Sequence, residues 1–219
     1  KLDVENYLFD IEAGIKVNQY IENAETLDSN TIKTKFEKIA PILQTIHASG
    51  KELKGEFAPF EEIKKYETLI QGEISYPNYE AVRKSVLSLK NELEKIGVDK
   101  KSCHIDLVPE NFIEGPDGHP YLIDWEYSSM NDPMWDLASL FLESEFTPEE
   151  EAAFLAYYEG DKTPVSREKI RIYKILQDII WGLWTIYKEE NGADFGDYGI
   201  TRYNRAVKEL QSQGGIDED

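Results

Sequence analysis

Asp106, Asn111 and Asp124 gather two carboxylates and a carboxamide within nineteen positions of this 219-residue chain. Asp106 and Asn111 lie five residues apart in His104-Ile-Asp-Leu-Val-Pro-Glu-Asn111. Asp124 follows thirteen residues later, at the end of an apolar run. Between them, Phe112–Ile123 reads as two short strands around Gly115-Pro-Asp-Gly118, a sequence suited to a tight turn. A hairpin there brings Asn111 and Asp124 to one end, with Asp106 beside them. Oxygen-bearing side chains suit a hard cation such as Mg²⁺. A hydroxyl that attacks a phosphoryl group needs those metal ligands and a carboxylate close by. On this reading Asp106 supplies the carboxylate, Asn111 and Asp124 hold the metal, and His104 anchors the loop by hydrogen bonding to backbone. An isolated Asp in a loop is more often a turn-former. Here that alternative must explain three residues and a hairpin together.

The segments around this centre read as mainly helical. Tyr7–Ile11 and Ile15–Ile21 flank Glu12-Ala-Gly14 as a β-hairpin, and nothing strand-like is expected again until residue 112. With Asn30 as N-cap, Ile32, Phe36, Ile39, Leu43 and Ile46 recur at spacings of three and four. That pattern predicts an amphipathic helix to about Ser49, kinked at Pro41 and stopped by Gly50. His47, near its end, is expected to be packed or capping. Further helices are expected at Glu61–Gln71, from Tyr79 to Ile96 with Gly97 as stop, and at Pro133–Ser144. Thr147-Pro-Glu-Glu150 is a helix start with cap, Pro and acids in order. Ser166 caps a long helix through Ile170–Tyr187, a last one covers about Tyr198–Gln211, and the tail 212–219 is expected to fray. The fold class is α+β, mainly helical, with two small hairpins.

Bulk properties narrow the partners. Hydrophobic content of 41% with 12% aromatics is that of a globular chain. A net charge of −19 argues against nucleic acid, whose phosphates need a basic surface, and permits a cationic small substrate. The single cysteine, Cys103, excludes an internal disulfide framework and fits a reducing cytosol. No apolar run approaches the ~20 residues that cross a bilayer, so no membrane insertion is expected. The first residues lack the apolar core of a signal peptide, and position 1 is Lys, as expected for a processed or cloned piece.

His104-x-Asp106-x₄-Asn111, followed by Ile123-Asp-Trp-Glu-Tyr127 and Asn131-Asp-Pro-Met-Trp-Asp-Leu-Ala138, resembles the choline/ethanolamine kinase family. That family belongs with the protein-kinase-like aminoglycoside phosphotransferases. Ile46-His-Ala-Ser-Gly50 is a weaker match, and the resemblance runs from about Tyr7 to Leu210. It implies a protein-kinase-like C-terminal lobe at 28–211, with 1–27 as the last hairpin and hinge of the N-terminal lobe. It implies ATP and Mg²⁺, with choline as a small cationic alcohol converted to phosphocholine in the cytoplasm. Asp106 becomes the catalytic base and Asn111 and Asp124 the metal ligands. Asp136 becomes a buried brace for the loop, and Gln19, Ile21 and Ile123 line the adenine site. Position 105 is Ile where protein kinases carry Arg, so control by activation-loop phosphorylation is not expected.

Trp181-Gly-Leu-Trp184 places two indoles at i and i+3 on one side of a helix. Trimethylammonium groups bind such ring faces by cation–π attraction; the alternative is plain core on a helix rich in Ile and Leu. The resemblance adds Tyr127 and Tyr198 to the cage, with Glu143 and Glu126 as acids near the cation. Asp194 and Asp197 read as surface charges. The chain also departs from the family: Gly14 and its neighbours form no glycine-rich phosphate loop, and Lys16 sits on the wrong strand to grip phosphates. It is therefore expected to be the larger lobe of a choline kinase, with little activity alone. Kinases for ethanolamine, thiamine or an aminoglycoside remain alternatives, as does a non-catalytic binding or scaffold protein.

Overall fold

A computed structural model describes residues 2–212; the rest of the tail expected to fray lies outside them. The elements begin with β1 (Asn6–Asp10), β2 (Ile15–Asn18), β3 (Glu25–Thr26), α1 (Phe36–His47), α2 (Pro59–Leu69) and α3 (Tyr79–Ile96). Then come β4 (Lys101–Cys103), β5 (Phe112–Glu114), β6 (Pro120–Leu122), β7 (Ser129–Asn131) and α4 (Pro133–Glu143). The chain closes on α5 (Pro148–Tyr158), α6 (Arg167–Glu190) and α7 (Tyr198–Ser212). They fall into two compact units: Lys1–Lys54 with Lys101–Val165, and Gly55–Lys100 with Ser166–Asp219.

The first unit holds every strand among the described residues. β1 and β2 form an antiparallel hairpin with Leu8 opposite Val17, and Gly14 takes the left-handed conformation its turn requires. β3, β5 and β6 make a three-stranded sheet, and β4 pairs with β7. The expectation of no strand between the first hairpin and residue 112 is therefore wrong. β3 has two residues and β4 three, too few for alternation to show in sequence; pairing with β5 and β7 makes them strands.

Asn30 is not the cap of α1. Asp28 Oδ1 accepts the N–H groups of Asn30 and Thr31 at 2.9 and 2.7 Å, and Thr31 Oγ1 accepts the Asp28 N–H at 2.8 Å. This closed turn leads into a short 3₁₀ segment, Ile32–Thr34, and α1 starts only at Phe36. The helix continues through Pro41 and ends at His47, short of Gly50. Phe36 of α1, Phe141 of α4, Phe146 of the α4–α5 link and Phe154 of α5 pack with ring centroids 5.2–6.1 Å apart in the core of this unit. Burying each stabilises by roughly 1.5–3 kcal/mol. α5 opens on the expected Thr147, as a full capping box with Glu150.

The second unit is helical. α6, capped by Ser166 as expected, runs for 24 residues and packs against α2, α3 and α7. Val82, Val86, Leu89 and Leu93 form the buried stripe of α3, while Ile96 at its end is exposed. Glu190 at the end of α6 accepts the N–H groups of Gln71 and Gly72 at 2.9 and 2.7 Å, fixing the α2–α3 link. Buried Asp178 of α6 pairs with Arg202 and Arg205 of α7 at 3.2 and 2.6 Å. No helix among the described residues is long and apolar enough to cross a membrane.

Candidate active site

Between β4 and β5 the chain makes a loop that α4 holds by its backbone. α4 is started by Asp132, whose side chain accepts the Met134 N–H, with Pro133 at the first position. That start places Asp136 in the first turn, fully buried. Its two carboxylate oxygens accept the N–H groups of His104 (2.8 Å) and Ile105 (2.9 Å). Trp135 Nε1 donates to the Ile105 carbonyl at 3.0 Å. Ile105 sits at φ +79°, a conformation costly for a β-branched residue, of order 1–3 kcal/mol. Both of its backbone groups are pinned by α4, so the strain is maintained. The turn it creates sets the direction in which the next residue, Asp106, leaves the loop.

Asp136 is itself braced. His47 Nε2 lies 3.0 Å from Asp136 Oδ2, and His47 Nδ1 lies 2.7 Å from the Tyr158 hydroxyl. With the carboxylate accepting at one nitrogen, the Tyr158 O–H donates to the other, giving a buried chain from α5 through α1 to α4. Cys103 is buried beside it, and His47, Cys103 and Asp136 offer ligand atoms within 4.8 Å of one another. Each is already hydrogen-bonded, the Cys103 thiol to the Asn131 carbonyl at 3.4 Å. Burial pushes that thiol well above its ordinary pKa. The cluster is a brace, not a metal centre.

The β5–β6 hairpin turns around Pro116-Asp117 as the sequence predicts, with Phe112 opposite Leu122. The Ile123 N–H donates to the Asn111 carbonyl at 2.9 Å, and Asn111 Nδ2 donates to the Asp106 carbonyl at 2.9 Å. His104 Nε2 lies 2.9 Å from the Ile123 carbonyl, and its ring meets Trp125 edge-on at 4.9 Å. Asp124 follows in the left-handed region, φ +62°. The geometry thus brings Asp106, Asn111, Asp124 and His104 together. Burial raises the Asp106 carboxyl above its ordinary pKa; His104 opposes this, Glu143 and Asp124 add to it, and the Asn111 hydrogen bond opposes it. Neither Asp106 nor Asp124 pairs with Lys or Arg among the described residues. Two carboxylates and a carboxamide with no cationic partner make an all-oxygen donor set that fits a divalent cation such as Mg²⁺.

A cleft of about 510 Å³ opens beside this loop. Gln19, Ile21 and Ile123 line it, together with Asp124 and Lys16 of β2. Glu126 and Tyr127 are exposed just after Asp124, and Glu143 is half-buried at the end of α4. In the other unit, Trp181 and Trp184 meet edge-to-face at 6.2 Å. Phe195 packs 4.8 Å from Trp184 and 6.5 Å from Tyr198, extending the pair into a row of four aromatics. Sequence reading missed Phe195, which lies in a loop where spacing assigns no face. The rings already attract cations: Lys188 Nζ lies 5.6 Å from the Trp184 centroid and the Arg202 guanidinium 5.1 Å from that of Tyr198.

The choline/ethanolamine kinase family model matches residues 9–169. The chain belongs to the choline/ethanolamine kinase family. Protein LicA of Haemophilus influenzae is 30% identical over 222 residues. The alignment covers 96% of this chain, but the chain spans only 65% of one LicA sequence and 82% of another. The crystal structure of choline kinase LicA from Streptococcus pneumoniae is 75% identical, with a TM-score of 0.92 over 96% of this chain and 75% of that one. A LicA structure in complex with AMP gives 75% identity and a TM-score of 0.91, over 96% and 74%. Spectinomycin phosphotransferase shares the protein-kinase-like fold alone, at 16% identity and a TM-score of 0.62 over 97% and 79%. The expected family and the mainly helical, kinase-like fold class are borne out.

Proposed function

We propose that this family member takes part in transfer of the γ-phosphoryl group of ATP to the hydroxyl of choline, giving phosphocholine. The observation that carries the reading is the loop in which Asp136 and Trp135 fix Ile105 and so aim Asp106. It occurs in a chain three-quarters identical to a choline kinase. The choline oxygen forms a bond to the γ-phosphorus, the bond from that phosphorus to the ADP oxygen breaks, and Asp106 accepts the hydroxyl proton. Asn111 and Asp124 would hold Mg²⁺, which when bound neutralises charge on the phosphates. Similarity to an AMP-bound relative supports seating the adenine in the cleft lined by Gln19, Ile21 and Ile123. Trp181, Trp184, Tyr127 and Tyr198 are assigned to the trimethylammonium group, with Glu126 and Glu143 as acids near it and with cytoplasmic action.

Ethanolamine is the second reading that the family name itself keeps open. Its small ammonium depends less on indole faces than a trimethylammonium does. Comparing kcat/KM for the two alcohols tests the choice. Choline should lead by about tenfold or more, and Trp184→Leu should narrow the gap, each indole face being worth roughly 1–2 kcal/mol to a desolvated cation. Equal use of both alcohols, unchanged in Trp184→Leu, would contradict choline as the acceptor.

A further inference from the structure

The two tryptophans flank Gly182, and a tyrosine from outside their helix is bonded to that glycine. Tyr76, in the α2–α3 link, donates its hydroxyl to the Gly182 carbonyl at 2.8 Å. The Tyr76 ring stacks on Tyr203 of α7, centroids 4.5 Å apart and planes 21° apart. Gly199, next to Tyr198 in α7, leaves no room for more: a Cβ there falls 2.5 Å from the Tyr76 hydroxyl and 2.9 Å from Thr185 Cβ. A Cβ on Gly182 meets the Gly199 carbonyl and the Tyr76 ring, both at 3.4 Å. Tyr76 is thus a wedge set where Gly182 of α6 and Gly199 of α7 face each other closely, one residue from Trp181 on one helix and from Tyr198 on the other. Burial, with Glu189 nearby, raises its pKa far above that of a free tyrosine, so it stays a hydrogen-bond donor.

We infer that Tyr76 is a positioning residue for cation recognition: its hydroxyl fixes the turn of α6 carrying Trp181 and Trp184, and its ring sets the distance to Tyr198. The inference rests on the assignment of that aromatic row to the substrate's ammonium group. Tyr76→Phe removes one oxygen and keeps the ring, so the wedge stays in place. Tyr79→Phe is the matched control, because the Tyr79 hydroxyl in the same region donates to Glu67 of α2 at 2.7 Å and not to α6.

The test is titration with tetramethylammonium, a cation without a hydroxyl, followed by tryptophan fluorescence. Tyr76→Phe should weaken binding by about threefold to tenfold, the range one neutral hydrogen bond spans. In turnover assays KM for choline should rise by a similar factor, with kcat within about twofold. Tyr79→Phe should lower the melting temperature comparably and leave both constants unchanged. Equal weakening in both variants, or none in Tyr76→Phe while Trp184→Ala abolishes binding, overturns the positioning role. Binding that survives Trp184→Ala instead overturns the assignment of the aromatic row.

Discussion

A base must be ionised to take a proton, and burial with two neighbouring acids makes that costly for Asp106. Its folded-state pKa lies above the unfolded value. The associated stability is therefore present below the unfolded pKa and lost as pH rises through the folded one. At neutral pH the charged carboxylate works against the metal-free fold. Asp106→Asn should consequently raise the melting temperature at pH 7 while lowering kcat by about 10²–10⁴-fold. The stability gain should fade as the wild type protonates at lower pH, and Mg²⁺ should reduce it by stabilising the carboxylates. An Asn variant that melts lower than wild type at pH 7 would contradict the account. Asp106, Asn111 and Asp124 were legible because they rest on type, spacing and a turn sequence. The left-handed turn at Ile105 was not, because it depends on acceptors and donors supplied by α4, thirty residues away.

Among the elements, α4 does most to shape the loop, and its own support comes from α1 and α5. Asp136→Ala would orphan the His104 and Ile105 N–H groups and His47 Nε2, costing at least about 3 kcal/mol. Tyr158→Phe removes only the outermost link and should cost about 1 kcal/mol. Urea denaturation separates the two, and a Tyr158→Phe loss as large as that of Asp136→Ala would contradict the chain of braces. Long periodic segments such as α3 and α6 were readable because tertiary packing follows their apolar stripes. The start of α1 was not: Asn30 is a good cap type, but the closed Asp28–Thr31 turn and the 3₁₀ segment Ile32–Thr34 keep it outside the helix, which begins at Phe36 without a side-chain cap. β3 and β4 exist through pairing alone.

At the scale of the molecule, the division into units interleaves the sequence, joining Lys1–Lys54 to Lys101–Val165. No composition shift marks it, since it reflects contacts between distant segments. The β1–β2 hairpin stands out because Tyr7, Phe9, Ile11 and Ile15 are all exposed, and two strands alone are marginal in water. Its amides should exchange with solvent at least about tenfold faster than those of the β5–β6 hairpin, whose strands pack Phe112 and Leu122 fully inside. Comparable protection in both hairpins would contradict this. Whether Asp106 serves phosphoryl transfer to choline is decided by ³¹P NMR. The folded chain, at concentrations that reveal a single turnover, is held with ATP, Mg²⁺ and choline. The wild type should give a phosphocholine signal and Asp106→Ala none. A folded, nucleotide-bound wild type that forms no phosphocholine, or an Asp106→Ala variant that forms it equally fast, would contradict it.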